Sequence, residues 1–524
     1  MLFGQAITGL LRQYDVDTAF GIPGVHTVEL YRGLAESGIR GVVPRHEQGA
    51  AFMADGYARA TGKPGVCFLI SGPGVLNAMT PIAQAWHDST PLLVVASTVA
   101  TGEIGQHRGA LHDTPDQSGL LAPLTSASET VPDPDRFAEA AAEAFQSWAT
   151  GRPRPVHIGV PVDCLGKDVG SIAKAGPAAG PAAEPSGIPA AVGLLRAAVA
   201  PVLVVGGGAR NAASEVQMLA ERLDAPVVLT GNARGLLPER HFLAAGTSLP
   251  FPETQRLVAE ADVVVAVGTE LGESEILYTG SELRLGGTTI RIDIDPAQTA
   301  RDPACAQVVA DAAVACRLLV EGLGGFTPAA TGAARAAAAR AGLRREAAAS
   351  PMRPWVDALA HATPDDAVVA LDSAQLAYQA HHFMPWSSPN SWMAPYGFGT
   401  LGPALPMAVG AAVGRPDRPV LAVAGDAGVL FTIGELATAV DLGRQLTLVI
   451  WDNAGYGEIR ASFDRAGVPR YGTDTTANDL RQICEGFGAD ASRVSAPEQL
   501  EAAVRAGSRR AGVSVVVVDA PFDT

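Results

Sequence analysis

Two oxygen-bearing side chains stand at matching places late in the chain. Residues 419–424 (Pro-Val-Leu-Ala-Val-Ala) form a short apolar run that ends in Gly425-Asp426-Ala427-Gly428. A second apolar run, 446–451, ends in Asp452-Asn453-Ala454-Gly455-Tyr456-Gly457. Between them a helix is expected from about Thr432, with Ile433, Leu436, Ala437 and Val440 on one face. This is a β-α-β unit whose strand ends carry an acid, Asp426, and an amide, Asn453, 27 positions apart. In a parallel sheet such ends share one edge, where ligands usually bind. Asp426 and Asn453 can then meet at one hard cation such as magnesium, completed by a backbone carbonyl, water and phosphate oxygens. The N–H groups of the glycine-rich turn and the helix start after it suit a diphosphate. Alone, Gly-Asp-Ala-Gly is equally an ordinary βα turn with an aspartate cap. The partner at the second strand end is what favours the cation.

A third oxygen ligand lies near the start. Glu47 follows the extended run 41–44 and leads into residues 48–60, where Ala50, Ala51, Ala54, Tyr57 and Ala58 pack a helix. By position alone it is a first-turn glutamate that compensates the helix dipole.

These groups need elements to hold them, and the 524 residues allow three or four domains. Strands and helices alternate from the start to a strand at 155–163, which closes a first domain, residues 1–170. Residues 173–191 are rich in Pro, Gly and Ala and read as a linker. A middle domain, 188–325, opens with 201–208, continues through 225–229 and 261–268, and closes after 290–296. The Ala/Arg-rich stretch 328–350 reads as a second linker, helical in part, before a third domain at 350–524. Alternating βα units mean doubly wound parallel sheets with helices on both faces, an α/β fold.

Composition narrows the function. A net charge of −16 argues against a nucleic-acid surface. No apolar run reaches membrane-spanning length, and the first eleven residues lack the basic start of a signal peptide, so no membrane partner is expected. The five cysteines (Cys67, Cys164, Cys305, Cys316, Cys484) show no C-x-x-C spacing, and their odd number fits reduced thiols in a cytoplasmic protein. They read as core or surface residues, not zinc ligands. Gly206-Gly207-Gly208 follows a strand, but no convincing acidic residue stands at the right distance on a second strand end.

Taken together, His46-Glu47-x-x-Ala50…Ala54-Asp55-Gly56-Tyr57-Ala58-Arg59-x-Thr61-Gly62 and Gly425-Asp426-Ala427-Gly428…Asn453 resemble the thiamin-diphosphate enzymes of the acetolactate synthase and 2-oxo-acid decarboxylase group. Gly72-Pro73-Gly74…Asn77, the segment 83–91, the loop 396–402 and the helix-like 405–411 extend the likeness. The resemblance implies three domains in order: one that binds the cofactor's pyrimidine, a middle domain, and one that binds the diphosphate with Mg²⁺. It makes Glu47 the carboxylate that bonds N1′ of the aminopyrimidine and activates the cofactor. It gives magnesium to Asp426, Asn453 and the Gly455 position, and places Gly425, Ala427, Tyr456 and Gln375 at the diphosphate. Pro23, Gly72 and Asn77 fall on the pyrimidine side. The Gly399 carbonyl would accept from the 4′-amino group, and Leu401 would offer its N–H to N3′ and its side chain as the wedge under the cofactor. Without the family, Leu401 is a core residue and Gly399 a turn glycine. Two departures are Ala427, where many members have glycine, and Leu376, where a histidine is common.

The substrate is less sharply written. Gly21-Ile22-Pro23-Gly24-Val25-His26 resembles the family's loop near the reactive carbon, with His26 beside it. His112 and Asp113 replace the Phe-Gln of acetolactate synthases, which weakens that reading; His112 is a candidate proton relay and Asp113 a candidate substrate contact, or both are plain loop polarity. Several segments, including 21–34, 45–67, 268–273 and 452–460, resemble 5-guanidino-2-oxopentanoate decarboxylases. A guanidinium tail wants carboxylates, and Asp113, Glu458 and Glu273 are the candidates; Glu458 is otherwise a solvated helix residue. The alternatives are an acetolactate-type carboligase and a non-catalytic homologue, the latter disfavoured by intact Glu47, Asp426 and Asn453. Acetolactate synthases hold FAD in the middle domain; here a flavin is not expected. The family's sites lie between subunits, which implies a homodimer or homotetramer.

Overall fold

The apolar runs of this chain become the strands of three six-stranded parallel sheets. The computed structural model describes residues 1–176, 184–275, 283–302, 306–475 and 478–520. The first sheet runs Arg40–Val42, Thr18–Phe20, Gly65–Leu69, Leu92–Thr98, Val156–Pro161, Ala127–Thr130. The third runs Trp392–Met393, Val368–Leu371, Val420–Gly425, Leu446–Asp452, Val513–Asp519, Asp490–Val494. Numbered within their own sheets, both follow 2-1-3-4-6-5. The middle sheet, built from strands between Val202–Val205 and Ala306–Val309, follows 6-5-4-1-2-3, the doubly wound order with its switch point between strands one and four. The central strands read as unbroken apolar runs because helices cover both faces: all seven residues of Leu92–Thr98 are buried.

The first and third domains share one core. Helix Glu47–Thr61 and helix Ala404–Gly414 pack on each other, and both belong to a cluster that includes Phe20, Cys67 and Leu69 of one sheet and Ala422, Leu448 and Ile450 of the other. Their backbones touch at two glycines. A Cβ on Gly56 would stand 2.1 Å from the Met407 carbonyl oxygen, and one on Gly410 would stand 1.9 Å from that of Met53.

Two expectations change. The helix after Gly425 does not start at Thr432: a single turn, Asp426–Val429, comes first, and the main helix is Glu435–Leu442. Of the expected apolar face, Leu436 is buried and Ile433 and Val440 pack on the core; Glu435, Thr438 and Ala439 are buried as well, with the Glu435 carboxylate turned onto the first domain. The stretch 328–350 is more than a connector. Helix Gly332–Ala349 lies on the middle domain, with Gly342 against Glu253 and Arg335 donating to the carbonyls of Ala200 and Pro201. Cys67, Cys164, Cys316 and Cys484 are buried free thiols; Cys305 lies outside the described residues. Among the described residues no helix is long and apolar enough to cross a membrane.

Candidate active site

Strand Val420–Gly425 delivers Asp426, and its neighbour Leu446–Asp452 delivers Asn453, to the same sheet edge. Asp426 is 5% exposed and Asn453 6%. The Asn453 side-chain oxygen stands 3.0 Å from Asp426 Oδ1 and 2.7 Å from the Gly455 carbonyl oxygen. Its Nδ2 donates to Gln375 Oε1 at 2.9 Å. In this orientation the amide oxygen faces two acceptors, while the backbone N–H groups of Ala427, Asn453 and Gly455 reach Asp426. Turning the amide over would supply donors to Asp426 and Gly455, but would set the Asn453 oxygen 2.9 Å from the Gln375 oxygen. A hard cation would also suit the oxygen set of Asp426, the Asn453 amide and the Gly455 carbonyl. Among the described residues no group of three or more His, Cys, Asp or Glu is arranged to hold a metal ion. The Asp426 carboxyl is pushed up to about 6, first by burial and then by the charge of Asp452, against the pull of the Ala427, Asn453 and Gly455 N–H groups.

The loop 396–402 stands beside this edge and is held from below by a residue that sequence reasoning passed over. Asp372, 2% exposed at the end of strand Val368–Leu371, accepts the Gly402 N–H at 3.0 and 3.1 Å and the Ser373 N–H at 2.7 Å. Burial pushes its carboxyl up to about 7, with those two N–H groups opposing. Gly399 is exposed with φ +68°, and Leu401 is only half-buried, so it is not core. Tyr456 caps helix Gly457–Ala466, whose Glu458 bonds Gln375, and burial raises the Glu458 carboxyl.

In the first domain, Glu47 opens helix Glu47–Thr61, and its Oε2 accepts from Asn77 Nδ2 at 2.9 Å. Asn77 ends the short helix Pro73–Asn77, and the Gly72 N–H before it donates to Gln117 Oε1 at 3.1 Å. His26 Nδ1 lies 2.8 Å from Ser71 Oγ, and the His26 and His112 rings meet edge-on at 5.2 Å. Burial, then the His112 charge, holds His26 below its ordinary value. His112 Nδ1 and Asp113 Oδ1 are buried and have no hydrogen-bond partner among the described residues. Pro23 and Val25 are exposed on the loop before His26. Thus His26, His112, Asp113, Gly72 and Asn77 gather near Glu47, as Gln375, Glu458, Asn453 and Gly455 gather near Asp426.

Glu273 joins neither group. It is exposed on a one-turn helix of the middle domain, and its neighbour Glu275 is the one turned inward, near the Gly231 N–H, with burial pushing it up to about 7. That turn borders a cleft of about 560 Å³ where the three domains meet, lined in part by Gly207, Arg210, Asn232 and Asp293. A buried network crosses the junction: Arg59 donates to Asp55 (2.9 Å) and Asp88 (2.8 Å), and Asp88 accepts from Asn232 (2.9 Å) and the Gly397 N–H (3.0 Å).

Residues 1–120, 188–319 and 372–518 match, in that order, the N-terminal TPP binding domain, the central domain and the C-terminal TPP binding domain of thiamine pyrophosphate enzymes. The chain belongs to the thiamine pyrophosphate enzymes, whose cofactor is thiamin diphosphate. It is 41% identical to the probable 2-ketoarginine decarboxylase AruI of Pseudomonas aeruginosa, over 98% of this chain and 93% of that protein. It is 30% identical to the acetolactate synthase isozyme 1 large subunit of Escherichia coli, over 98% and 93% of the two chains. To the acetolactate synthase large subunit of Parasynechococcus marenigrum it is 32% identical, over 94% and 84%.

Proposed function

We propose that this chain is a magnesium- and thiamin-diphosphate-dependent decarboxylase of 5-guanidino-2-oxopentanoate, releasing CO₂ and leaving 4-guanidinobutanal. When bound, thiamin diphosphate supplies the carbon nucleophile that adds to the 2-oxo group and takes up the electron pair freed as CO₂ departs. Asp426, Asn453 and the Gly455 carbonyl would hold the magnesium that ties down the diphosphate, with Gly425, Ala427, Tyr456 and Gln375 around it. Glu47, steadied by Asn77, would bond the aminopyrimidine, and Gly399, Leu401, Pro23 and Gly72 would help to hold it. The His26 and His112 rings, in contact with each other, are placed to hand over the proton that replaces the lost carboxylate.

The observation that carries the substrate assignment is the buried, unpartnered oxygen of Asp113, with Glu458 as the carboxylate of the other half-site. Glu458 reaches the cation set through Gln375 and Asn453, and Asp113 keeps a buried oxygen with no partner among the described residues. A guanidinium can satisfy both with paired N–H groups. The printed name of the AruI relative supports the same substrate. We drop Glu273 from this role because its exposed turn stands apart from both half-sites.

The active unit in this reading is a homodimer or larger, with Glu47 of one copy facing Asp426 of another. Exposed apolar residues flank both halves: Val25, Leu76 and Leu111 on one, Phe398, Leu430, Phe431 and Ile459 on the other. Such clustering is expected of a surface that another chain covers. The pyrimidine, middle and diphosphate roles fall to residues 1–170, 188–325 and 350–524. No flavin is assigned to the middle cleft, since Gly206-Gly207-Gly208 lacks the dinucleotide spacing.

The deciding assay supplies thiamin diphosphate and Mg²⁺ and compares 5-guanidino-2-oxopentanoate with pyruvate, following CO₂, aldehyde and acetolactate. Aldehyde from the guanidino acid, with little product from pyruvate, is expected. Acetolactate from pyruvate would replace this reading with a carboligase, the second reading, which the two acetolactate synthase relatives favour.

A further inference from the structure

We propose that Glu435 is a positioning residue for Glu47: a carboxylate of the third domain that fixes the backbone turn from which the first domain presents its glutamate. This rests on the role given to Glu47 above. Glu435 is 1% exposed, and a buried carboxylate is stable only if its oxygens are bonded. They are. Both oxygens accept the Arg45 N–H, at 3.1 and 3.0 Å, Oε1 accepts the His46 N–H at 3.0 Å, and Oε2 accepts from the Thr438 hydroxyl at 2.8 Å.

The partners matter more than their number. Arg45 and His46 are the two residues before Glu47, and they lie 390 and 389 positions from Glu435 in sequence. His46 is the extended N-cap of helix Glu47–Thr61 and uses its ring Nδ1 to accept the Gln48 N–H. The turn is clamped on two further sides. The Arg45 guanidinium pairs with Asp441 on the same helix as Glu435. Gly49 leaves no slack, since a Cβ there would stand 2.1 Å from Glu435 Oε1. Asn77 therefore holds the Glu47 side chain, and Glu435 holds its main chain.

Packing alone would join the domains without a carboxylate, because the apolar cluster around Met53 and Met407 already does so. What the carboxylate adds is a directional hold on two N–H groups next to the reacting glutamate. Displacing a reacting group by about 1 Å can cost roughly 100-fold in rate.

The test uses the full chain with thiamin diphosphate and Mg²⁺ but no substrate. It measures deuterium exchange at C2 of the bound cofactor, cofactor affinity by calorimetry, and amide exchange across residues 43–49 in the cofactor-free protein. Glu435→Gln should slow C2 exchange about 10- to 100-fold while affinity stays within about threefold. The 43–49 amides should lose protection in the same variant. Glu435→Asp keeps the charge but not the reach and should slow C2 exchange too; a purely electrostatic role would leave it near wild type. A folded Glu435→Gln variant with C2 exchange within about twofold of wild type would overturn the proposal. If that variant does not fold, Thr438→Val removes one bond to the clamp and should slow exchange about threefold, and an unchanged rate overturns the proposal instead. Glu47→Ala is the control. Wild-type exchange in Glu47→Ala would sink the underlying reading, whereas a dead Glu47→Ala beside a normal Glu435→Gln sinks only this inference.

Discussion

The first and third domains wind six strands in the same order, yet the same places in that order carry different chemistry. After strand three each chain segment makes a tight turn and a short helix: Pro73–Asn77 in the first domain, Asp426–Val429 in the third. In the third domain that turn supplies a buried acid, Asp426, beside Asn453 and the Gly455 carbonyl. In the first it supplies Asn77, which holds a carboxylate that arrives from elsewhere. After strand two each domain forms a small-residue helix, Glu47–Thr61 or Ala404–Gly414, and these two helices pack on each other. One of them opens with Glu47; the other is preceded by the loop carrying Gly399 and Leu401. Topology thus sets where groups can stand, and the side chains at those places decide what the edge can do; in the proposed function one edge gathers metal ligands and the other manages protons.

The sharpest way to separate the two edges is to remove one acid from each. Glu47→Ala should lower turnover about 1000-fold, within the range for a lost acid–base group, while cofactor affinity changes little. Asp426→Ala should do the reverse in kind, weakening Mg²⁺–thiamin diphosphate binding by at least about 100-fold, since losing even an outer-shell metal partner can cost that much. Calorimetry beside steady-state rates distinguishes them. Equal binding losses in both variants would break the division of labour. A smaller effect is expected at the substrate tail. Glu458→Gln should raise KM for 5-guanidino-2-oxopentanoate about tenfold, the value of one charge-assisted bond, and leave any slow turnover of pyruvate unchanged.

Asp426 and Asn453 were legible as candidates for a local reason: each follows an extended segment, and ligand groups in parallel sheets collect after strand ends. By position Glu47 was only a first-turn helix acid, and its reading came from the family resemblance. The strand-end rule could have found Asp372, which directly follows the apolar run of strand Val368–Leu371. Nothing local marks Glu435. On a helix it reads as a solvent-facing acid, and only a contact 390 positions away explains its burial. The junction of Arg59, Asp88 and Asn232 is hidden in the same way, because it joins separate domains. Glu273 failed in the opposite direction: charge was legible, but the turn that exposes it and buries Glu275 was not. Helix Gly332–Ala349 was read mainly as a linker because its Ala/Arg composition has no clear apolar face. Its packing relies on close approach, as at Gly342, instead of large side chains.

The last contrast between the edges concerns acid. Burial, followed by the Asp452 charge, lifts Asp426 from an ordinary value of 3.8 to about 6. The raised value means the folded, metal-free chain binds this proton more tightly than the unfolded chain does. Asp426 therefore favours folding at low pH, and that contribution is lost as pH rises from about 4 through about 6. Cation binding needs the charged form, so the two effects run in opposite directions. Apparent Mg²⁺ affinity should hold constant above about pH 7 and fall roughly tenfold per pH unit below about 6, as one proton competes with the metal. Asp426→Asn should flatten that profile at a lower affinity throughout. An identical pH dependence in the variant would mean that the titrating group lies elsewhere, and the first domain's His26, held below its ordinary value by burial and by His112, would be the next to test.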